Sequence, residues 1–292
     1  MEVPRITLVT PSFNQAPFLE MTIRSVLEQN YPNLEYFVVD GGSTDNSVEV
    51  IRKYEDRIAW WVSEKDKGQS NAINKGFARA TGDLYAYINS DDTIAPGALM
   101  AAAKAYQEGH QWITGWVMYL EPGGDEWPQL PRPMYNGVDW FLYNPICQQG
   151  TYWAADVFKK LGPFWENMHY AFDYEFWMRM WFIGNIQPHM LRRCMGGYRL
   201  HDSSKTVSVW DRFEVDFDRV RAHYEKFLTR AQRKEVNHFH RQRRWAEHRN
   251  EAWKALKEKD VFAARKHAKK ALPQNYFSVE AWKLVYCAMR GH

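Results

Sequence analysis

Two adjacent carboxylates, Asp91 and Asp92, directly follow the short apolar and aromatic segment 84–88. This segment predicts a buried strand. In an open α/β sheet, ligands bind just beyond the carboxyl ends of the strands. Mg²⁺ is typically held there by one or two carboxylates together with substrate phosphates. The pair therefore suits a divalent ion, although it could instead cap the helix predicted near residues 96–108.

Polar residues also follow the other predicted strands of the N-terminal half. Ser12, Asp40 and Asp66 each come shortly after an apolar segment. The predicted strands span residues 5–10, 34–39, 58–62 and 84–88, and segments with helical spacing of apolar residues separate them. This alternation predicts right-handed crossovers and a mostly parallel sheet, with the polar residues on one edge.

The second half of the chain predicts fewer regular elements. A strand is expected at 112–119, a loop at 121–134 and a strand at 148–153. An aromatic helix begins near Asp173, with Glu175 in its first turn. Residues 198–206, which include Tyr198, Arg199 and His201, are expected to form a polar loop. Strand signals end near residue 207. We therefore predict an α/β domain over residues 1–206 and a basic helical C-terminal extension over residues 207–292.

The amino-acid composition is typical of a globular protein. The 292 residues are 45% hydrophobic and 25% charged, which is enough for one large α/β domain and an appendage. The three cysteines lie far apart, which fits a reducing compartment better than a disulfide framework. The chain shows neither a signal-peptide pattern nor an apolar run long enough for a bilayer, so we expect a cytoplasmic location, with a peripheral position on the inner face of the membrane as the alternative.

Charge is unevenly distributed. Residues 211–292 hold 20 lysines and arginines against 11 acidic residues, whereas residues 1–210 hold 18 against 24. Three interpretations of the basic tail stay open: a helical cap on the domain, contact with an anionic membrane, or nucleic-acid binding, which lacks an accompanying motif. In the membrane interpretation, the buried residues would be Trp282, Val285, Tyr286 and Met289, with Lys269, Lys270 and Lys283 facing lipid headgroups.

Five motifs in order resemble those of the family 2 glycosyltransferases, which have the GT-A fold. They are Thr10-Pro-Ser-Phe-Asn, Val39-Asp-Gly-Gly-Ser-Thr-Asp, Asp66-Lys-Gly-Gln, Asn89-Ser-Asp-Asp and Phe172-Asp-Tyr-Glu-Phe-Trp. The likeness covers residues 5–206. It implies an inverting enzyme that moves a sugar from a nucleotide-diphosphate donor, most often a UDP-sugar, to a glycan or lipid-linked acceptor in polysaccharide or glycoconjugate assembly.

The resemblance also implies roles for individual residues. Donor-nucleotide binding is expected from Thr10, Pro11, Ser12, Asp40, Asp66 and Asp91. Asp92 and His201 are expected to hold Mn²⁺ or Mg²⁺, and Asp173 is expected to be the catalytic base. Glu175 is a second catalytic candidate, because the family often carries an acidic residue directly before the base and this chain has Phe172 there.

The chemistry of sugar transfer needs these residue types. Negative charge develops on the leaving diphosphate, which a divalent ion can neutralise, and the acceptor hydroxyl needs a general base. Each residue also has a structural interpretation: Asp173 could cap a helix, Asp40 could shape a turn, and Glu175 could complement the helix dipole. Gln148 and Gln149 could bind acceptor hydroxyls or satisfy strand ends.

Two other classes of function stay open. A nucleotidyltransferase can share this sheet and acidic site, but it usually carries a Gly-rich basic loop after its first strand, which is absent from residues 10–15. A non-catalytic nucleotide- or glycan-binding protein would not need the full acidic set. No nucleic-acid partner is expected.

Overall fold

The computed structural model describes residues 3–121, 123–124, 126–132, 134, 136–201 and 210–291. Contacts divide the chain into two compact units. The first comprises residues 1–135 and 144–224, and the second comprises residues 136–143 and 225–292. The predicted boundary between residues 206 and 207 lies outside the described residues, and it stays a prediction.

The described residues form the following elements. The strands are β1 (Ile6–Ser12), β2 (Leu34–Asp40), β3 (Trp60–Ser63), β4 (Leu84–Tyr87), β5 (Thr93–Ile94), β6 (Trp112–Leu120), β7 (Glu126–Gln129), β8 (Thr151–Ala154) and β9 (His189–Arg199). The helices are α1 (Ala16–Leu27), α2 (Ser47–Arg52), α3 (Gln69–Phe77), α4 (Ala98–Gln107), α5 (Asp139–Leu142), α6 (Ala155–Leu161), α7 (Phe172–Phe182), α8 (Trp210–Tyr224), α9 (Arg230–Lys257), α10 (Val261–Ala271) and α11 (Val279–Arg290). Single 3₁₀ turns lie at Glu55–Arg57, Gln148–Gly150, Glu225–Phe227 and Leu272–Gln274.

The described strands form one nine-stranded sheet in the first unit, in the order β3-β2-β1-β4-β8-β6-β9-β5, with β7 beside β6. Strands β1 to β4 pair in parallel, as the alternation predicts. Beyond β4 the sheet is mixed, because β8 runs antiparallel to both β4 and β6 and β7 pairs antiparallel with β6. The α/β fold class is confirmed, and the parallel pairings include β6 with β9 as well as the N-terminal strands.

Register in the parallel half aligns the strand ends. Ser12 lies opposite Asp40, and Asp40 lies opposite Ser63. Helices α1 and α4 contribute buried apolar residues to the same core as β1, β2 and β4. This packing fixes the strands along their length and leaves their carboxyl ends to carry polar side chains.

Strand β9 was not predicted from the sequence. It pairs in parallel with β6, with register shifts near Cys194, and its end pairs with β5 directly after the acidic motif. Tyr198 and Arg199, which we expected in a loop, are therefore strand residues. This pairing brings the chain segment that precedes His201 to Asp91 and Asp92.

Helix α7 is apolar around its circumference, as expected of a helix buried on several sides. Trp177 and Phe176 are fully buried and contact the ring of Trp153 from β8. Tyr174 packs edge-on against Phe217 of α8 at a ring distance of 5.1 Å. Because α7 is held on both sides, its first turn is a rigid support for Asp173.

The second unit is helical. Helices α9, α10 and α11 share a core rich in buried alanines, which lets the helix backbones approach closely, with Trp245 and Leu256 as its larger members. A capping box formed by Thr229 and Gln232 starts α9. Among the residues that the structure describes, each helix is too short or too polar to span a bilayer.

Candidate active site

Asp40, at the end of β2, is fully buried and organises the turn that follows it. Its Oδ2 accepts hydrogen bonds from the backbone N–H groups of Gly42 (3.1 Å) and Ser43 (2.9 Å) and from Ser63 Oγ (2.6 Å). The geometry therefore gives Asp40 the structural role of a turn residue. Its predicted contact with a nucleobase stays a prediction.

The end of β1 holds the other predicted nucleotide residues. Thr10 is fully buried, and its Oγ1 accepts a hydrogen bond from Tyr36 at 3.0 Å, which makes it a core residue. Pro11 is also buried. Ser12 differs from both, because its Oγ is buried and has no hydrogen-bond partner within the described residues. An unsatisfied buried hydroxyl at a strand end is suited to accept or donate a bond to a ligand.

Asp66 lies directly against the Asp40 turn. A Cβ atom placed on Gly41 would be 2.7 Å from Asp66 Oδ2, so residue 41 must lack a side chain for this contact to form. Asp66 Oδ1 accepts from the N–H of Gly68 at 2.8 Å, just before α3 begins. Two predicted donor residues, Asp40 and Asp66, are thus neighbours at this edge of the sheet.

A chain of side-chain amides connects the start of α3, next to Asp66, to the acidic motif. Gln69, the first residue of α3, donates to Asn89 Oδ1 at 2.6 Å, and Asn89 donates to Asp92 Oδ2 at 3.1 Å. We did not single out Asn89 or Gln69 as site residues from the sequence. The signal available for Asn89 was its place two residues before Asp91 in the acidic motif.

The structure gives the two aspartates of the motif different environments. Asp92 is fully buried, and its carboxylate also accepts from Gln149 Nε2 (2.9 Å) and from the backbone N–H of Arg199 (3.0 Å). Burial, followed by the charge of Asp91, holds the pKa of Asp92 well above its usual range, and these hydrogen bonds oppose that shift. The Gln149 side chain is therefore engaged in a hydrogen bond to Asp92. The Gln148 side chain donates to the carbonyl of Tyr87 at 2.8 Å.

The Asp91 carboxylate, in contrast, contacts His201. Its Oδ2 lies 3.1 Å from His201 Nε2, and the side chains are 19% and 10% exposed, respectively. The His201 ring packs on Phe18 at 4.4 Å, and Arg199 Nε donates to the Asp91 carbonyl at 3.1 Å. Both side chains are thus held in place while each stays partly exposed.

This pair fits a hard or borderline divalent ion. A carboxylate oxygen suits Mg²⁺ and Mn²⁺, and Mn²⁺ also tolerates an imidazole nitrogen. Over the described ranges, no group of three or more His, Cys, Asp or Glu residues is arranged to hold a metal. Asp91 and His201 would supply two protein ligands, which matches sites that are completed by substrate phosphates and water.

Asp173, in the first turn of α7, is partly exposed. Burial raises the pKa of its carboxyl to about 6, although a 2.7 Å hydrogen bond from the Tyr174 N–H opposes the shift. Burial also raises the pKa of Tyr87 well above 10, and the charges of Asp173 and Asp92 add to that rise. The ring of Phe172, next to Asp173, lies 5.9 Å from that of Tyr87, so Asp173 and Asp92 both lie near the end of β4.

Glu175 occupies a different environment. It is fully buried, forms an ion pair with Arg179, and accepts a hydrogen bond from Tyr224 on Oε1 at 2.7 Å. Arg179 also donates to the carbonyls of Leu161 and Pro163, so the pair closes one end of α6 against α7. This geometry favours a structural role for Glu175 over the predicted catalytic one.

The acidic side chains of this sheet gather at the carboxyl ends of its strands, where open α/β sheets bind their ligands. The family model described as "Glycosyl transferase family 2" matches residues 7–176, more than half of the chain. The chain therefore belongs to glycosyl transferase family 2, and it is a glycosyltransferase.

Two relatives illustrate the similarity in sequence. An uncharacterized glycosyltransferase of Nostoc sp. is 27% identical over 222 residues, 70% of this chain and 67% of the relative. The GalNAc(5)-diNAcBac-PP-undecaprenol beta-1,3-glucosyltransferase of Campylobacter jejuni is 29% identical over 117 residues, 39% of this chain and 38% of the relative.

Two solved structures share the fold. S. aureus TarS superposes with a TM-score of 0.62 at 16% identity, covering 98% of this chain and 53% of TarS, so this chain spans about half the length of TarS. The mannosyltransferase PcManGT from Pyrobaculum calidifontis, solved with GDP-Man and Mn²⁺, gives a TM-score of 0.64 at 19% identity, covering 99% of this chain and 81% of PcManGT. TarS 1-349 was also solved with UDP-GlcNAc. At these identities, the likeness establishes the fold alone.

Proposed function

We propose that this glycosyltransferase moves a sugar from a nucleotide-diphosphate donor, a UDP-sugar, to a glycan or lipid-linked acceptor in polysaccharide or glycoconjugate assembly, with inversion. The observation that carries this proposal is the placement of Asp173. Its carboxyl has a pKa raised to about 6, and it lies near the same strand end as the acidic motif. A base with that pKa is charged at neutral pH and accepts a proton more readily than an ordinary aspartate.

The donor nucleotide is assigned to the corner formed by β1, β2 and the loop before α3. Ser12 offers an unsatisfied hydroxyl, and the carboxylate of Asp66 lies against Gly41, whose N–H donates to the Ser12 carbonyl. Asp40 would contribute by shaping that turn, and Thr10 and Pro11 by supporting the strand end. The UDP-GlcNAc complex of TarS supports a uracil nucleotide, whereas the GDP-Man complex of PcManGT makes guanine the competing outcome.

The metal site is assigned from the different environments of Asp91 and Asp92. Asp91 and His201 would hold Mn²⁺ or Mg²⁺, because Asp91 Oδ2 and His201 Nε2 are close together and both side chains are partly exposed. Bound there, the ion would supply Lewis-acid stabilisation of the leaving diphosphate. Asp92, predicted as a metal ligand, instead receives a supporting role, since its carboxylate holds the Arg199 N–H and thereby the segment that leads to His201.

Asp173 is assigned as the general base of a single displacement. The acceptor hydroxyl oxygen forms a bond to the anomeric carbon as the bond from that carbon to the diphosphate oxygen breaks. The hydroxyl proton passes to the Asp173 carboxylate, and the diphosphate leaves with the bonding electron pair. Attack on the face opposite the leaving group inverts the anomeric centre. Glu175 has no part in this step, because both its burial and its ion pair remove it from the acceptor.

The printed name of the Campylobacter jejuni relative describes a pyrophosphoryl-undecaprenol-linked glycan, which supports a lipid-linked acceptor for this chain. A donor panel tests the proposal. The melting temperature should be measured with UDP-, GDP- and dTDP-sugars, each with and without Mn²⁺. Ligand at 100 times its Kd stabilises the native state by about 2.7 kcal/mol. We expect a clear rise with UDP-sugars and Mn²⁺.

Transfer should then be followed with the donor that binds, and the product anomer determined by NMR. A product that retains the donor's anomeric configuration would contradict the single displacement. If no nucleotide sugar raised the melting temperature, and a nucleoside triphosphate released pyrophosphate instead, the chain would act as a nucleotidyltransferase and the proposal would be wrong.

A further inference from the structure

Helix α11 in the second unit carries an exposed apolar stripe. The stripe consists of Val279, Trp282, Tyr286 and Met289. Spacings of three and four residues place these side chains on one side of the helix. The buried side consists of Ala281, Leu284 and Ala288. The stripe therefore faces away from the core of the unit, so the packing of that core does not explain it.

Three further aromatic side chains extend this exposed surface. Tyr276 and Phe277 precede α11, and Phe262 lies in the first turn of α10. Phe277 is 97% exposed, and the ring of Tyr276 lies 5.3 Å from that of Trp282. We call these seven residues the outer aromatic surface: Phe262, Tyr276, Phe277, Val279, Trp282, Tyr286 and Met289. Contiguous exposed apolar residues on this scale mark interaction sites in soluble domains.

Hydrogen bonds between α10 and α11 place the start of α10 beside the end of α11. Arg265 of α10 donates to the carbonyl oxygens of Ala288 (3.1 Å) and Met289 (2.6 Å) at the end of α11. The start of α10 therefore lies beside the last turn of α11. Phe262, one turn before Arg265, belongs to the same end of the unit as Met289.

Basic residues are interleaved with the apolar ones. Residues 261–291 contain six lysines and arginines against one acidic residue, Glu280, which lies 3.5 Å from Arg249. Lys283 and Arg290 each follow a stripe residue by four positions, so they lie beside the stripe on the same side of α11. Lys266 has the same relation to Phe262 on α10. The apolar surface thus has a positive border.

This combination distinguishes a lipid surface from a protein partner. The cores of protein interfaces are depleted of lysine, whereas helices that lie in a membrane interface combine tryptophan and other large apolar residues on one face with lysine and arginine along its border. Anionic headgroups attract such lysines, and the long lysine stems let the charges reach the phosphates while the rings enter the acyl boundary.

We propose that the outer aromatic surface docks the second unit onto an anionic lipid bilayer, with α11 lying in the plane of the headgroups. Trp282, Tyr286 and Phe277 would enter the interface, and Lys266 and Lys283 would meet lipid phosphates. Val285, which we predicted for this surface, instead packs against the core of the unit. The inference rests on the second unit alone and does not depend on the proposed catalytic roles.

Vesicle co-sedimentation of the full chain tests the inference. Vesicles of phosphatidylcholine alone should be compared with vesicles containing about 30% phosphatidylglycerol, and we expect strong binding to the anionic ones. Lys266→Glu with Lys283→Glu should weaken that binding by at least about 25-fold, at about fivefold for each lysine removed. Phe277→Ser with Trp282→Ser should weaken it by at least about tenfold, because apolar contact with the interface is lost.

Matched controls use exposed residues elsewhere. Ile183→Ser with Val215→Ser removes two exposed apolar side chains of the first unit, and Lys234→Glu reverses an exposed charge on α9. We expect these variants to bind vesicles as wild type does. All variants should keep the wild-type melting temperature and helical circular dichroism, since the altered residues are exposed.

Several outcomes would overturn the inference. One is failure of the wild-type chain to bind anionic vesicles. A second is binding of these vesicles by the aromatic or lysine variants that equals that of wild type. A third is a concentration-dependent dimer in sedimentation velocity that Phe277→Ser with Trp282→Ser abolishes without any change in vesicle binding, which would make the surface an interface between two copies of this chain.

Discussion

Replacing Asp173 by asparagine should remove the base and stabilise the protein at the same time. Burial raises the pKa of this carboxyl to about 6 from an ordinary value of 3.8. One pKa unit corresponds to about 1.4 kcal/mol, so keeping Asp173 charged in the folded state opposes folding by up to about 3 kcal/mol. Asparagine carries no charge and can still accept the bond from the Tyr174 N–H.

The effect has a defined dependence on pH. Below about pH 4 the Asp173 carboxyl is protonated in both the folded and unfolded states, so its pKa shift costs no stability. Between about pH 4 and 6 the folded state keeps a proton that the unfolded state releases, so the wild type loses stability as the pH rises. Above about pH 6 the loss is complete, and the advantage of Asp173→Asn should reach about 3 kcal/mol.

Urea unfolding of wild type and Asp173→Asn at about pH 7.5 and pH 4 measures this difference. Asp156→Asn is the matched control, because the Asp156 side chain is 94% exposed and its replacement should leave stability unchanged. In the same preparations, turnover of Asp173→Asn should fall by about 10²–10⁴-fold while donor affinity stays near normal. A variant no more stable than wild type at pH 7.5, or one with equal gain at both pH values, would refute the reasoning on burial.

Four other substitutions separate roles that residue type alone does not distinguish. Asp91→Asn should lose more Mn²⁺-dependent UDP affinity in calorimetry than Asp92→Asn, and the reverse order would restore Asp92 as the metal ligand. Glu175→Gln should lower the free energy of unfolding by about 3–5 kcal/mol, because it leaves its buried guanidinium partner unpaired; unchanged stability with lost turnover would instead make Glu175 catalytic. Gly41→Ala should raise the KM for the donor, because the new methyl group meets the Asp66 carboxylate, and an unchanged KM would remove Asp66 from the donor site.

The N-terminal half of the fold could be predicted because its signals are local. Apolar segments that alternate with helical spacing define β1 to β4, and parallel pairing then places Ser12, Asp40 and Ser63 in one row. Strand β9 was not predicted because its residues 189–199 mix one arginine pair with two glycines and lack a clear alternation of apolar and polar residues. Its pairing with β6 depends on residues about 75 positions apart, which no local pattern encodes.

The acidic motif shows why residue type alone does not assign a role. Asp91 and Asp92 have the same side chain and adjacent positions, so residue type gives no reason to prefer either as a ligand, and the choice of Asp92 came from the family resemblance alone. The difference arises from non-local partners: Gln149 and the Arg199 N–H enclose Asp92, whereas His201 reaches Asp91. All three come from segments beyond residue 148, so the distinction appears once β9 lies beside β5.

The different directions of Asp173 and Glu175 on α7 could have been predicted from their spacing in the sequence. Residues two positions apart on an α-helix point about 200° away from each other, so the pair cannot both face one cleft. Glu175 lies four residues before Arg179, the spacing of an intrahelical ion pair, and that pair is buried in the structure. Asp173 has no basic residue four positions along α7, since that position is Trp177. Asp173, the carboxylate without an intrahelical partner, is therefore the one that we propose as the base for the acceptor.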